Sequence, residues 1–298
     1  SPAPDVMPND AAPKRLTREL GTFGAVMMGL GSIVGTGVFV SIGIAAGIAG
    51  PAVVIAVAVG AMVATFNGLS SAQLAANHAV SGGTYEYGYE FLSPAFGFTA
   101  GWMYLIAKSA SAATAALGFS GYFLGAIGVD MDVWLVPFAL LAVVVLTAVV
   151  YSGLRRSNIT NIIVVSITLA ALGLFVGAGS PTAFSDGLDG FANFFQAPET
   201  GGGWRAVLYA SALMFVAYTG YGRIATLGEE VRSPRTTIHR AIIVTLLVTM
   251  TLYIAVAVVG VGAIGADGLS KATAEQAAPL EVAARAFDIP GVSQAVAF

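Results

Sequence analysis

Cysteine is absent from the 298 residues, which excludes disulfides, thiolate metal sites and cysteine nucleophiles. Charge is scarce as well. Asp, Glu, Lys and Arg make up 10% of the chain, against roughly 25% in an ordinary soluble domain. So few charges cannot solvate the surface of a 30.2 kDa body, and a water-soluble globular protein is excluded. Lys and Arg number 13 against 16 Asp and Glu, which excludes a basic nucleic-acid binder, and a hydrophobic share of 57% excludes disorder. What the chain has in excess is apolar surface and glycine: a mean hydropathy of +0.83, and 37 glycines where about 7% of residues is usual. These are the proportions of a polytopic membrane protein.

Charges mark the segmentation. No Asp, Glu, Lys or Arg occurs between Glu19 and Glu86, and a bilayer-crossing helix needs about 20 apolar residues. This stretch therefore holds two spans, near 22–48 and 52–76, with a tight turn at Gly50-Pro51. Further charge-poor stretches predict spans near 96–125, 133–151, 158–179, 204–228 and 237–263, seven in all. The runs are too long, and lack the alternation, for barrel strands, so the expected class is all-α. Residues 265–290 are expected to form an outer loop with a short helix around Pro279–Phe287. Gly291–Phe298 reads as the start of an eighth span, and the chain is expected to be a portion of a longer one.

Residues 1–18 contain no apolar run of their own and read as a cytoplasmic tail, not as a cleaved signal. Alternating sides from there places Lys14, Arg15, Arg18, Arg155, Arg156, Arg232, Arg235 and Arg240 inside, and only Arg205, Lys271 and Arg285 outside. That asymmetry obeys the positive-inside rule. It predicts a multi-pass protein of the plasma (inner) membrane.

Two spans carry glycines away from their ends. The first contains GSIVGTGVF from Gly31 to Phe39, and the sixth contains FVAYTGYGRIATLGEE from Phe215 to Glu230. Glycine in a membrane helix usually serves close packing, and that reading is taken for Gly24, Gly43 and Gly60. Matched clusters five spans apart, Gly35/Gly37 and Gly220/Gly222, point instead to interrupted helices of an inverted-repeat transporter. Unwinding in lipid frees main-chain groups that cost several kcal/mol each if unsatisfied, so a break belongs beside a polar cavity. Amide ends carry roughly +0.5 charge and carbonyl ends roughly −0.5. Amides near Thr36 and Gly37 facing carbonyls near Ile33 and Ala217–Thr219 would suit a zwitterion such as an α-amino acid.

At these segments the sequence resembles the amino acid–polyamine–organocation (APC) superfamily of permeases. GSIVGTGVF is similar to that family's first-span signature. FVAYTGYGRIATLGEEVRSPRTTIHRAI resembles its sixth span and the turn into span seven, and SGGTYEYGYEFLSP, Ser81–Pro94, resembles its first cytoplasmic loop. The resemblance implies a LeuT-type fold of two inverted five-helix repeats, with unwound first and sixth spans, working by alternating access. Residues 19–180 would be the first repeat, and 181–298 the start of the second. The substrate site implied comprises Ile33, Gly35, Thr36, Gly37, Ala217, Tyr218, Thr219 and Gly220. Thr36 and Gly37 would hold the carboxylate; the carbonyls of Ile33, Ala217 and Thr219 would hold the ammonium.

The chain departs from the family pattern at several positions. Thr168 stands where many proton-coupled members carry a lysine in the fifth span. Gly222 replaces an acid or amide and is followed by Arg223. Val216 takes the place of a frequent aromatic gate, for which Phe215 or Tyr218 are the alternatives. Lys108, midway along the third span, has two readings: an ammonium tied to carbonyls or a broken-helix end, or a group that replaces or titrates as a coupling cation. Arg223 either snorkels to the interface and pairs with an acid there, Glu229 or Glu230, or forms an inner-gate ion pair or attracts anionic substrates. Glu86 and Glu90 belong to an amphipathic inner loop. His78 and His239 read as interfacial, since no partner stands at metal-ligand spacing. Tyr104, Ser109, Ser111 and Thr114 supply polar groups on the third span, for packing or for lining a pathway.

The first expectation is a secondary active transporter of amino acids, neutral ones because no acid lies near either break, driven by a coupling proton or sodium ion and needing no other cofactor or metal. An amine or polyamine transporter of the same fold, and a ligand-binding sensor or channel, are the alternatives. An integral membrane enzyme is disfavoured, because no Walker loop, zinc motif or nucleophile–base pair is present.

Overall fold

The computed structural model describes residues 20–78, 82–129, 131–151, 154–185, 189–197, 202–228, 230–276 and 278–297. The tail with Lys14, Arg15 and Arg18, together with Glu229 and Phe298, lies outside the described residues, as do the side chains of Arg155 and Arg156.

The first span begins as α1 (Thr22–Ile33) and stops. Val34 takes an extended backbone (φ −74°, ψ 105°). The chain resumes as a wide π-turn over Gly37–Ser41 and continues as α2 (Ile42–Ala49). Gly50, at φ 62°, lets the chain reverse through a 3₁₀ turn over Gly50–Ala52, where the sequence places the turn. The second span is α3 (Val53–Asn77). A short α4 (Thr84–Phe91) precedes α5 (Pro94–Ile127), α6 (Met131–Tyr151) and α7 (Leu154–Ala183), the third to fifth spans.

The sixth span is α8 (Trp204–Tyr218), a 3₁₀ turn over Thr219–Tyr221 and a single turn, α9 (Gly222–Ala225). The seventh, α10 (Pro234–Gln276), is kinked at Gly265 (φ 72°). Helix thus continues past the kink to Gln276, where the sequence predicts a loop. The reason is local: Ala266, Leu269 and Ala272 form a buried face, and Asp267 pairs with Lys271 one turn on at 2.6 Å. The expected short helix follows as α11 (Pro279–Arg285), and a further short helix, α12 (Val292–Ala297), comes after it.

Among the described residues five helical runs are long and apolar enough to cross a bilayer, and one of them, Thr22–Asn77, is the out-and-back pair of the first two spans. The sixth segment, with α8 only 15 residues long, is not among them. The protein is an integral, multi-pass, all-helical membrane protein among its described residues.

Burial separates inner from outer helices. In the most apolar stretch of Thr22–Asn77, 72% of residues are buried, against 6% in Val133–Tyr151, whose surface is left to lipid. The first, second, sixth and seventh spans pack on one another, while α5, α6 and α7 flank them. Small residues on α3 (Ala56, Gly60, Ala64, Gly68, Ala72) recur at every fourth residue and are buried, which lets neighbouring backbones approach. A Cβ on Gly60 would stand 3.0 Å from the amide nitrogen of Phe215, and one on Gly68 would stand 2.7 Å from Leu246 Cδ1. Gly43 likewise abuts Thr273 and Leu269, so the packing role expected for Gly43 and Gly60 holds; Gly24 meets only the nearby Leu20.

Candidate functional site: the interrupted first span and its two cavities

The break in the first span follows from where its hydrogen bonds go. Val34 donates back to Leu30, which ends α1; Gly35 then accepts from both Val38 (3.1 Å) and Phe39 (3.1 Å) and so caps the second half of the span. The amides of Thr36 and Gly37 precede the first acceptor within that half, as the leading amides of any helix do. A carbonyl end and an amide end therefore meet near mid-span.

The sixth span behaves differently from the expectation. It is not unwound. Tyr218, Thr219, Tyr221 and Gly222 all keep right-handed helical dihedrals, and the segment tightens into a 3₁₀ turn in which Thr219 donates to the Val216 carbonyl. Its glycines serve contact and not unwinding. Gly220 lies directly on the Ser32 carbonyl, and a Cβ on Gly37 would stand 2.7 Å from Ala217 Cβ. The two segments are pressed together, and any side chain at either glycine would separate them. Gly35 and Gly222, by contrast, face open space.

A cavity of about 290 Å³ opens against this junction. Ser32, Ile33, Thr36 and Gly37 form its first-span wall, and Leu213, Val216, Ala217, Thr219 and Gly220 its sixth-span wall. Tyr104, Ala107, Lys108 and Ser111 of the third span face them, and Asn67 and Ser71 of the second complete it. It reaches Thr84 at the start of α4. No Asp or Glu lines it among the described residues. The expected positions Ile33, Thr36, Gly37, Ala217, Thr219, Gly220 and Lys108 are thus brought together.

Others are not. Gly35 and Thr168 line a second cavity of about 190 Å³, with Phe39, Phe119, Tyr122 and Val296. Thr36 borders both cavities, and the Thr168 hydroxyl donates to the Val164 carbonyl of its own helix at 2.9 Å. Tyr218 is fully buried, its ring 5.0 Å from that of Tyr253 and its hydroxyl without a partner among the described residues. Phe215 packs half-buried against the core and borders neither cavity. Arg223 borders neither cavity; its guanidinium lies 3.5 Å from Thr226 Oγ1. Its expected partner Glu229 lies outside the described residues.

Three residues escaped the sequence reading. Tyr253 of the seventh span donates its hydroxyl to the Ile33 carbonyl at 2.7 Å, so a carbonyl expected to face the substrate ammonium already holds a donor. Tyr122 of the third span donates to the Phe39 carbonyl at 2.7 Å and accepts from the Leu280 amide of α11 at 3.2 Å. Tyr221 donates to Asn67 at 2.6 Å, tying the sixth span to the second. The available signal was chemical: a tyrosine deep in an apolar span needs an acceptor, but nothing in sequence says which.

A helical membrane bundle with a broken first span beside a polar-rimmed cavity can be compared with known proteins. Residues 24–298 match the model of the family described as amino acid permease. The chain belongs to that family. An uncharacterized transporter of Mycobacterium tuberculosis is 38% identical over 94% of this chain and 61% of its own length. The branched-chain amino acid permease of Bacillus subtilis is 29% identical over 87% of this chain and 58% of its own length. The methylthioribose transporter of the same organism is 28% identical over 84% and 56%. The chain spans about three-fifths of the length of these curated relatives. They are permeases and transporters, not enzymes.

Proposed function

We propose that the protein is a secondary transporter for small neutral amino acids, with the substrate held at the junction of the first and sixth spans. The observation that carries this reading is the break at Val34–Thr36 opening onto a cavity. The amides of Thr36 and Gly37 are the donors to a carboxylate, since amide ends carry about +0.5 charge. The carbonyls of Ala217 and Thr219, with the remaining lone pair of Ile33, face it as the cation-seeking side. A volume of about 290 Å³ sits at the lower edge of the roughly 300–1,000 Å³ usual for small-molecule sites, which suits one amino acid-sized solute. Leu213, Val216 and Ala107 offer apolar contact to its side chain, and the branched-chain permease among the relatives fits that chemistry.

Residues 19–180 and 181–298 belong, in this reading, to two inverted repeats whose relative movement exposes the cavity to each side in turn. The protein would lie in the plasma membrane with its N-terminus in the cytoplasm, drawing on a proton or sodium gradient. Uptake of radiolabelled leucine and alanine into proteoliposomes, with and without each gradient, tests this. Gradient-dependent accumulation is expected. Binding without counterflow would replace the transporter with a sensor, and ohmic current would replace it with a channel.

A further inference from the structure

The cavity at the junction contains a full positive charge that the family's substrate would itself bring. Lys108 lines it from the third span, with the Tyr104 ring 5.7 Å from its ammonium. Across from it stand Ser32 and Ile33 at the carbonyl end of α1, and Ala217 and Thr219 of the uninterrupted sixth span, where the Thr219 carbonyl accepts from the Gly222 amide. No acidic side chain faces the cavity among the described residues.

The carbonyl end of α1 carries roughly −0.5, which offsets only part of the Lys108 charge. A substrate α-ammonium entering the same space would meet an Ile33 carbonyl already hydrogen-bonded to Tyr253, and a like charge besides. What stays uncompensated is positive: the amide end at Thr36 and Gly37, roughly +0.5, and the remainder of the Lys108 charge. An intramembrane cation without an acidic partner is expensive, and an anionic occupant lowers that cost. We infer that Lys108 takes the place of the substrate's α-ammonium group, so that the site selects a small carboxylate with an apolar tail and does not require the amine. Deaminated carboxylates, 2-oxo acids foremost, are then ligands at least as good as the matching amino acids. This rests on the carboxylate position given under Proposed function but not on an ammonium position.

Displacement of radiolabelled leucine from purified protein in lipid nanodiscs tests the inference, with unlabelled leucine, 4-methyl-2-oxopentanoate and leucinol as competitors. The oxo acid is expected to displace label at concentrations no higher than leucine does, while leucinol, which lacks the carboxylate, does not displace it. In Lys108→Gln the oxo acid should weaken by about tenfold or more, the scale of one lost hydrogen bond to a charged group, while leucine holds or improves. Lys108→Arg, which keeps the charge, should retain oxo-acid binding and guards against a mere folding defect. An oxo acid that fails to compete where leucine binds, or an unchanged ratio in Lys108→Gln, overturns the inference. Should leucine itself not bind, the amino acid reading falls. Thermal stabilisation by the oxo acid alone is then measured: its presence upholds the role of Lys108, and its absence removes that too.

Discussion

The Tyr253 hydroxyl donates to the Ile33 carbonyl at 2.7 Å, joining the seventh span to the last residue of α1. An uninterrupted helix would have satisfied that carbonyl with the amide of Gly37. The break releases it, and a buried tyrosine takes it up, with its ring resting on Tyr218 of the sixth span. The interruption is therefore held by side chains from outside the span.

Replacing Tyr253 with Phe keeps the ring and removes the donor. A buried carbonyl left unpaired costs about 1–3 kcal/mol, so the variant should unfold at lower temperature in detergent, and its substrate affinity should fall as the end of α1 loosens. Thermal denaturation followed by tryptophan fluorescence, together with a binding isotherm, measures both. A variant with wild-type stability and affinity would show that the bond holds nothing.

Tyr122 performs the corresponding service on the second half of the first span. Its hydroxyl meets the Phe39 carbonyl and caps the Leu280 amide at the start of α11, next to a buried Glu281 paired with Arg285 at 2.7 Å. Tyr122→Phe should free α11 from the first span and open the second cavity. Because the chain has no cysteine, a single Ala115→Cys on that cavity's wall gives a clean reporter. Its labelling by a membrane-impermeant thiol reagent should speed up severalfold in the Tyr122→Phe background. Equal rates would mean that α11 is held by its apolar contacts alone.

Gly220 and Gly222 should part company. A methyl at Gly220 runs into the Ser32 carbonyl, and overpacking of this kind costs typically 1–3 kcal/mol. At Gly222 a methyl meets nothing within 4 Å, and alanine gains up to about 1 kcal/mol in helix propensity. Gly220→Ala is therefore expected to lower the melting temperature and Gly222→Ala to hold or raise it. The reverse order would contradict the close approach of the two spans.

The Gly37 contact predicts a compensating pair. Gly37→Leu should leave the protein membrane-inserted but abolish substrate binding, because the side chain meets Ala217 and the Tyr253 hydroxyl. Gly37→Ala paired with Ala217→Gly moves one methyl across the interface and should recover much of the affinity that Gly37→Ala alone loses. A double variant no better than the single would show that the two positions act independently.

Composition and charge spacing alone determined that the chain is a multi-pass helical membrane protein, because the cost of burying charge in lipid is paid locally, residue by residue. The break at Gly35 was legible for a related reason: a glycine-dense stretch in an otherwise apolar helix has weak helical preference wherever it lies. What the sixth-span glycines do was not legible. Flexibility and close contact use the same residue, and only packing against Ser32 and Ala217 separates them. Tertiary structure likewise decided that Tyr253 and Tyr122 hold the two halves of the first span, and that Lys108 shares a cavity with the end of α1. Those relationships join residues distant in the chain, and a hydrogen-bond donor does not carry in its sequence neighbourhood the address of its acceptor.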